Sequence, residues 1–261
     1  EVRGNQDILR LIDHKHILSI GIRNPAEVIK KSQEIRDRAN LKNALNVDDF
    51  VDGICQIVKM EGCVDRTKPF IVSLGTPSLF AGKVHFTVTD VNKLASNLEV
   101  SAEKLRKGQA SKLPTPINAF LFRFAFVRLR GNQLVMSTSE ALLDTPNPAD
   151  SLSENLSAKD KEILASDDML IVLGQSAFEG DFRPFLDSSM SATQDDNVRK
   201  FLDDLKYAAC GIRLDTGIGT TTIAGLKSLD SKNLLGEFFD STRDTTLARM
   251  PRGKILATHA L

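Results

Sequence analysis

Residues 119–139, AFLFRFAFVRLRGNQLVMSTS, constrain the fold more than any other stretch of the chain. Two runs rich in aromatic and β-branched residues flank Gly131-Asn132, the composition of a tight two-residue turn between strands. Such a turn commits the chain to antiparallel pairing. HILSIGI (16–22), KPFIVSLG (68–75), KVHFTVT (83–89) and DDMLIVLG (167–174) have the apolar density or period-two alternation of further strands. After the first of these, Asn24 as N-cap, Pro25 at the first helical position and Glu27 at the third open a helix. VDDFVDGICQIVKMEG predicts a second, with Val47, Phe50, Val51, Ile54, Ile57 and Val58 on one stripe and Gly62 at its end. Asp90 caps a short third helix. DDNVRKFLDDLKY (195–207) predicts a helix burying Val198, Phe201, Leu202 and Leu205, and DSKNLLGEFF (230–239) predicts another.

The order of elements recurs. KHILSIGIRNPAEVI matches DMLIVLGQSAFEGDF in element type, and VHFTVTDVNKLASNL matches TTTIAGLKSLDSKNLLGEFF as strand, cap and helix. The expected fold is therefore α+β: two tandem ferredoxin-like (split βαβ) halves, with an antiparallel sheet carrying helices on one face. Residues 1–144 form the first unit and 163–261 the second. Between them TPNPADSLSENLSAKDKE (145–162), rich in Pro, Ser and acids, reads as a linker. PRGKILATHAL (251–261) reads as the beginning of a further copy, so the second unit is expected to be truncated.

Charge narrows the function. The 34 basic and 34 acidic residues cancel, which removes the positive field expected of a protein that grips phosphate backbones or anionic membrane. No apolar run approaches the roughly 18 residues that span a bilayer, and the first residues do not read as a signal peptide. Cys55, Cys63 and Cys210 are too few for a disulfide framework and fit no zinc or redox spacing, so buried free thiols are expected, with a Cys55–Cys63 bridge as the alternative. Phe dominates the aromatics, 14 against one Tyr and no Trp, which favours core filling over stacking platforms.

Four constellations resemble chemistry. Asp215-Thr216-Gly217 matches the triplet of aspartic proteases, but such enzymes need two carboxylates about 3 Å apart sharing a proton. The chain has one such triplet, preceded by the charged Arg213, between two β-like runs; a hairpin turn is expected there. As phosphate loops, this segment and GTPSLFAGK (75–83) both fail, because each leads into a strand rather than a helix. FRFAFVRL (122–129) resembles the aromatic strand of RNA-recognition modules, with Phe124 and Phe126 as the stacking pair. Arg123 and Leu129 depart from that signature, and Ser19 stands where a companion aromatic belongs. His14, His16, His85 and His259 could supply imidazoles to zinc, although His14, between Asp13 and Lys15, reads as solvated. Acidic pairs at 48–49, 167–168, 195–196 and 203–204 mostly suit helix starts. No catalytic, cofactor-binding or metal-binding residue is assigned on this basis, and no cofactor is expected.

The step DRTKP (Asp65 to Pro69) into a strand, the RGNQL hairpin (Arg130 to Leu134) followed by SEALL, and PRGKILA (Pro251 to Ala257) together resemble exported repeat proteins of planctomycete-type bacteria. That family has no assigned activity. The resemblance implies an extracytoplasmic (periplasmic or secreted) location, with the cytoplasm as the alternative, and a repeated α+β module. The expected function is a non-catalytic binding or structural module with an envelope or other protein partner, no nucleic acid and no membrane-spanning segment. Homo-oligomerisation stays open. A hydrolase using Asp215 or the histidines, assembled only in three dimensions, is the alternative, and an RNA-binding module the third.

Overall fold

The computed structural model describes residues 7–40, 47–75, 81–119, 122–144, 148–179, 182–184, 188, 200 and 202–227. Among them the strands β1 (Leu18–Ile22), β2 (Phe70–Leu74), β3 (Gly82–Thr87), β4 (Ser111–Ala119), β5 (Phe122–Arg130), β6 (Gln133–Ser137), β7 (Met169–Leu173), β8 (Leu205–Leu214) and β9 (Ile218–Leu226) form one sheet. Its order is β4-β5-β6-β3-β2-β1-β7-β8-β9, and every neighbouring pair is antiparallel. The helices are α1 (Asp7–Leu11), α2 (Pro25–Arg38), α3 (Val47–Ile57), α4 (Val91–Leu98), α5 (Ala102–Arg106), α6 (Leu152–Asn155), α7 (Ala158–Ala165) and α8 (Gln175–Glu179).

Local chemistry sets most boundaries. The Asn24 side chain accepts from the Glu27 N–H at 3.1 Å with Pro25 behind it, and α2 starts there. Asp90 accepts from the N–H groups of Asn92 and Lys93 and starts α4. Gly131 turns β5 into β6 with φ +61°, a conformation that costs glycine little because it has no Cβ. α3 stops at Ile57, short of the expected Gly62. Lys59 takes the left-handed conformation (φ 56°), while the Met60 and Lys59 N–H groups bond back to the Cys55 and Gln56 carbonyls. That double bond closes the helix end, and the buried Met60 packs beneath it.

Helices cover both faces of the sheet, not one. On the first face Val84, Phe86, Leu134 and Met136 pack against Leu94 and Leu98 of α4 and Leu105 of α5. On the second, Ile71, Leu170, Val172 and Tyr207 meet Ile8 and Leu9 of α1 and Leu152 and Leu164 of α6 and α7. All six residues of β3 are consequently buried. The connectivity also differs from split βαβ, in which another strand separates the two joined by the helix. Here β1 pairs directly with β2, antiparallel, with α2 and α3 between them in sequence. From the central β1–β7 pair, β2 and β3 run outward on one side and β8 and β9 on the other.

Within 145–162, α6 and the start of α7 lie on the second face, where Leu152 and Leu156 are buried and Asp13 forms a bridge with Ser151. Leu205, expected on a helix, is the first residue of β8 and is buried there. The expected helix over 230–239, the copy over 251–261, and Val198, Phe201 and His259 lie outside the described residues. All three cysteines are free thiols, with Cys55 and Cys63 buried. Among the described residues, no helix is long and apolar enough to cross a membrane.

Candidate functional site

The Asp-Thr-Gly triplet is the turn between β8 and β9. Leu214 faces Ile218, and the Asp215 N–H donates to the Gly217 carbonyl at 3.0 Å. The Asp215 side chain is 61% exposed, and its ion pair is with a cation, Lys31 Nζ, at 4.0 Å. Asp215→Asn is expected to change the unfolding free energy by less than about 0.5 kcal/mol in a urea titration, as for other exposed surface changes.

Beside this turn lies a charged clasp, in which Asp167 Oδ2 and Arg213 Nε have no hydrogen-bond partner among the described residues. Arg23 donates from Nε to the Asp167 carbonyl and from Nη2 to the Leu164 carbonyl, both at 2.8 Å. Lys31 meets Asp168 at 2.8 Å, and Asp168 also accepts from the Leu214 N–H at 2.7 Å. The Asp167 carboxylate covers Gly211, where a Cβ would stand 1.8 Å from its Oδ2. Burial raises the Asp167 pKa, with Arg213 opposing. The pair 167–168 thus precedes a strand, and its work is to tie the start of β7 to β1, α2 and β8.

A different cluster lacks internal partners. On the second sheet face the register aligns Ser19 with Ser73, Ser73 with Lys83 and Lys83 with Ser137 across four strands. His85, two residues from Lys83, shares that face because side chains alternate along a strand. Lys83 and His85 are each 3% exposed. The loop from Asp13 to Ile17 closes over them. The His14 N–H donates to the Asp150 carbonyl, the Gln175 N–H to the His14 carbonyl at 2.7 Å, and the Gly174 N–H to the Ile17 carbonyl. His14 Nδ1 donates to the Asp150 carbonyl at 2.8 Å, so this histidine is buried and structural, not solvated. His16 turns inward instead. Its Nε2 lies 3.5 Å from the Asp13 carboxylate, and its ring sits over Gly75.

Among the described residues, neither ring nitrogen of His85 nor Nδ1 of His16 has a hydrogen-bond partner. Among the described residues Lys83 makes no ion pair or hydrogen bond, although Asp13 and Asp144 act on it through space. Burial pushes the Lys83 amine down to about 8. It holds His16 and His85 down at about 3, assisted at both by the neighbouring Lys83 charge. The Asp13 pKa is raised, chiefly by burial. The hydroxyls beside the lysine are occupied: Ser19 and Ser73 bond each other at 2.9 Å, and Ser137 donates to the Ser139 carbonyl at 2.6 Å. Arg128 and Arg130 reach Asp144 at 2.5 and 2.6 Å on the outer side.

The expected histidine set is therefore divided: His16 and His85 converge, and His14 points to Asp150. No group of three His, Cys, Asp or Glu residues among the described residues could hold a metal ion. Phe124 and Phe126 are not brought together on a surface either. Phe124 is fully buried, 5.8 Å from the Phe122 ring, and Phe126 is half-buried opposite Lys112 and Ser137. The buried positions of β5 change from Phe122 and Phe124 to Val127 and Leu129, where a register shift interrupts the pairing with β4. An apolar groove between α2, α3 and β2, lined by Pro25, Val51, Cys55 and Phe70, offers no comparable polar cluster.

Lys83 was not singled out by its sequence. Period two in GKVHFTVT puts a lysine and a histidine on one face of a strand without saying whether that face is covered, and the cover comes from the loop 13–17. No family model, curated protein or solved structure matches the chain.

Proposed function

We propose that the protein is an extracytoplasmic, non-catalytic binding module built from two related α+β units, 1–144 and 163–261, and that the chamber around Lys83 holds a small oxyanion. The observation that carries this reading is a buried lysine beside two buried imidazoles, with three ring nitrogens unpartnered among the described residues. Each unpaired buried polar group costs about 1–3 kcal/mol. Replacing a buried charge by a packed apolar side chain is often neutral or stabilising. A purely structural chamber would therefore be better served by methionine, and groups retained against that gradient point to a ligand.

The donor count defines the ligand. Lys83 offers three N–H donors, and neutral His85 offers one donor and one acceptor. With its Nε2–H directed at Asp13, His16 offers an acceptor at Nδ1. An oxyanion that keeps one hydroxyl, such as hydrogen phosphate, hydrogencarbonate or a small hydroxy acid, meets that set. The mirrored strand order about β1 and β7 supports the duplicated plan.

Thermal unfolding at neutral pH in phosphate, bicarbonate, acetate and chloride tests the reading. At 100 times its dissociation constant a ligand adds about 2.7 kcal/mol. In a chain of this size that raises Tm by roughly 5–10 °C. Lys83→Met is expected to be about 1–3 kcal/mol more stable than wild type without ligand and to lose the response. A chamber satisfied by water alone would give no shift beyond that of chloride, and an equal response from Lys83→Met would place binding elsewhere. A hydrolase reading that uses Lys83 in place of Asp215 draws on its lying between Ser73 and Ser137 in the register. Ester hydrolysis abolished by Lys83→Met would favour it.

A further inference from the structure

The two outer strands of the sheet are protected differently. Strand edges expose unpaired backbone N–H and C=O groups, and proteins guard them with charges, prolines or bulges. β4 has all three: Lys112, Pro114 and Pro116, and a register shift between Lys112 and Ile117. β9, IGTTTIAGL, has neither charge nor proline, and its one register shift against β8, between Leu205 and Tyr207, lies at its far end opposite Leu226 and Gly225. It pairs with β8 from Leu226 to Ile218, and no strand among the described residues lies on its other side. Ile218 at its start is 69% exposed.

The sequence of β9 is close to self-complementary about its centre. Antiparallel pairing of two copies about Thr222 sets Ile218 against Leu226, Gly219 against Gly225, Thr220 against Ala224, Thr221 against Ile223 and Thr222 against itself. No couple carries charge, Ile218–Leu226 and Gly219–Gly225 are matched in size, and the central threonine pair is favourable across antiparallel strands. The chain joins its own two halves in the same manner, through the antiparallel pair β1–β7. Zero formal net charge leaves two copies without long-range repulsion.

We propose that β9 pairs with β9 of a second copy, antiparallel about Thr222, to close a two-fold dimer with one sheet continuous through both. Such an isologous contact uses the same patch on each copy and ends at two. It does not depend on the Lys83 chamber.

The test uses the full chain in sedimentation and disulfide trapping. Thr222 lies opposite Cys210 within the chain, so trapping is done with Thr222→Cys in a Cys210→Ser background. Concentration-dependent dimers that cross-link readily through this variant, and far less through Thr220→Cys in the same background, are expected. Thr222→Lys and Thr220→Lys should each yield monomers with unchanged thermal unfolding, so that loss of the dimer is not loss of the fold. A protein that stays monomeric, a dimer that survives both lysine variants, or cross-linking equal at the two positions would overturn the proposal. So would a monomer that uses β9 to bind a strand of a different protein.

Discussion

Acidification from pH 6.5 is expected to destabilise this protein steeply. His16 and His85 are held at about 3 by burial, against 6.5 for the free side chain. Between those values the unfolded chain binds two protons that the native state refuses. Stability therefore falls as pH falls, by up to about 2.7 kcal/mol per unit for the pair, and is fully restored above 6.5. By pH 5 the loss reaches roughly 4 kcal/mol, a large share of the 5–15 kcal/mol typical of whole domains. Asp13 and Asp167, whose pKa values are raised by burial, act in the opposite sense and soften the acid limb just above the ordinary carboxylate range. Lys83 extends the profile on the alkaline side. Its native amine gives up the proton near 8 and the unfolded one near 10.5, so stability rises by about 3 kcal/mol across that interval. Urea titrations from pH 4 to 10 should trace a curve that climbs to about pH 6.5, levels, and climbs again above about pH 8, and His85→Leu should remove one proton from the acid slope. A plateau from pH 4 to 8 would contradict the burial of both rings.

Gly174→Ala is the single substitution expected to cost most. A Cβ there would stand 2.0 Å from the His16 carbonyl oxygen and 2.3 Å from that of His14, atoms of a backbone pinned by Asp150 and Gln175. The Asp13 to Ile17 loop must lift, which breaks the bond from the Gln175 N–H and withdraws His16 from the chamber. About 3–5 kcal/mol of stability should be lost in chemical denaturation, at the upper end for point changes. Gly217→Ala supplies the contrast, because nothing lies within 4 Å of its added methyl; less than about 1 kcal/mol is expected. Equal costs at the two sites would mean that the loop is not fixed as described.

What the sequence makes legible is what short-range chemistry decides. The Gly131 turn, the caps at Asn24 and Asp90 and the hairpin at Asp215 each depend on a few consecutive residues, and each forms where expected. Sidedness depends on distant partners. Period two sets Lys83 and His85 on one face without saying which face is covered, and their cover comes from residues 13–17. The direct pairing of β1 with β2 is equally non-local. Termini and bulges fail for another reason. Lys59 performs at the end of α3 a role usually given to glycine, and a register shift in the β4–β5 pairing falls between Phe124 and Phe126. Neither event leaves a composition that marks it.

Histidine ring resonances followed by NMR through a pH titration test the buried chamber most directly. His16 and His85 should keep the chemical shifts of neutral imidazole from pH 8 down to the onset of acid unfolding, while the Lys83 ε-methylene titrates near 8. Ordinary histidine titration near 6.5 at both rings, with Lys83 unmoved until above 10, would show that water reaches these groups and that no such chamber exists.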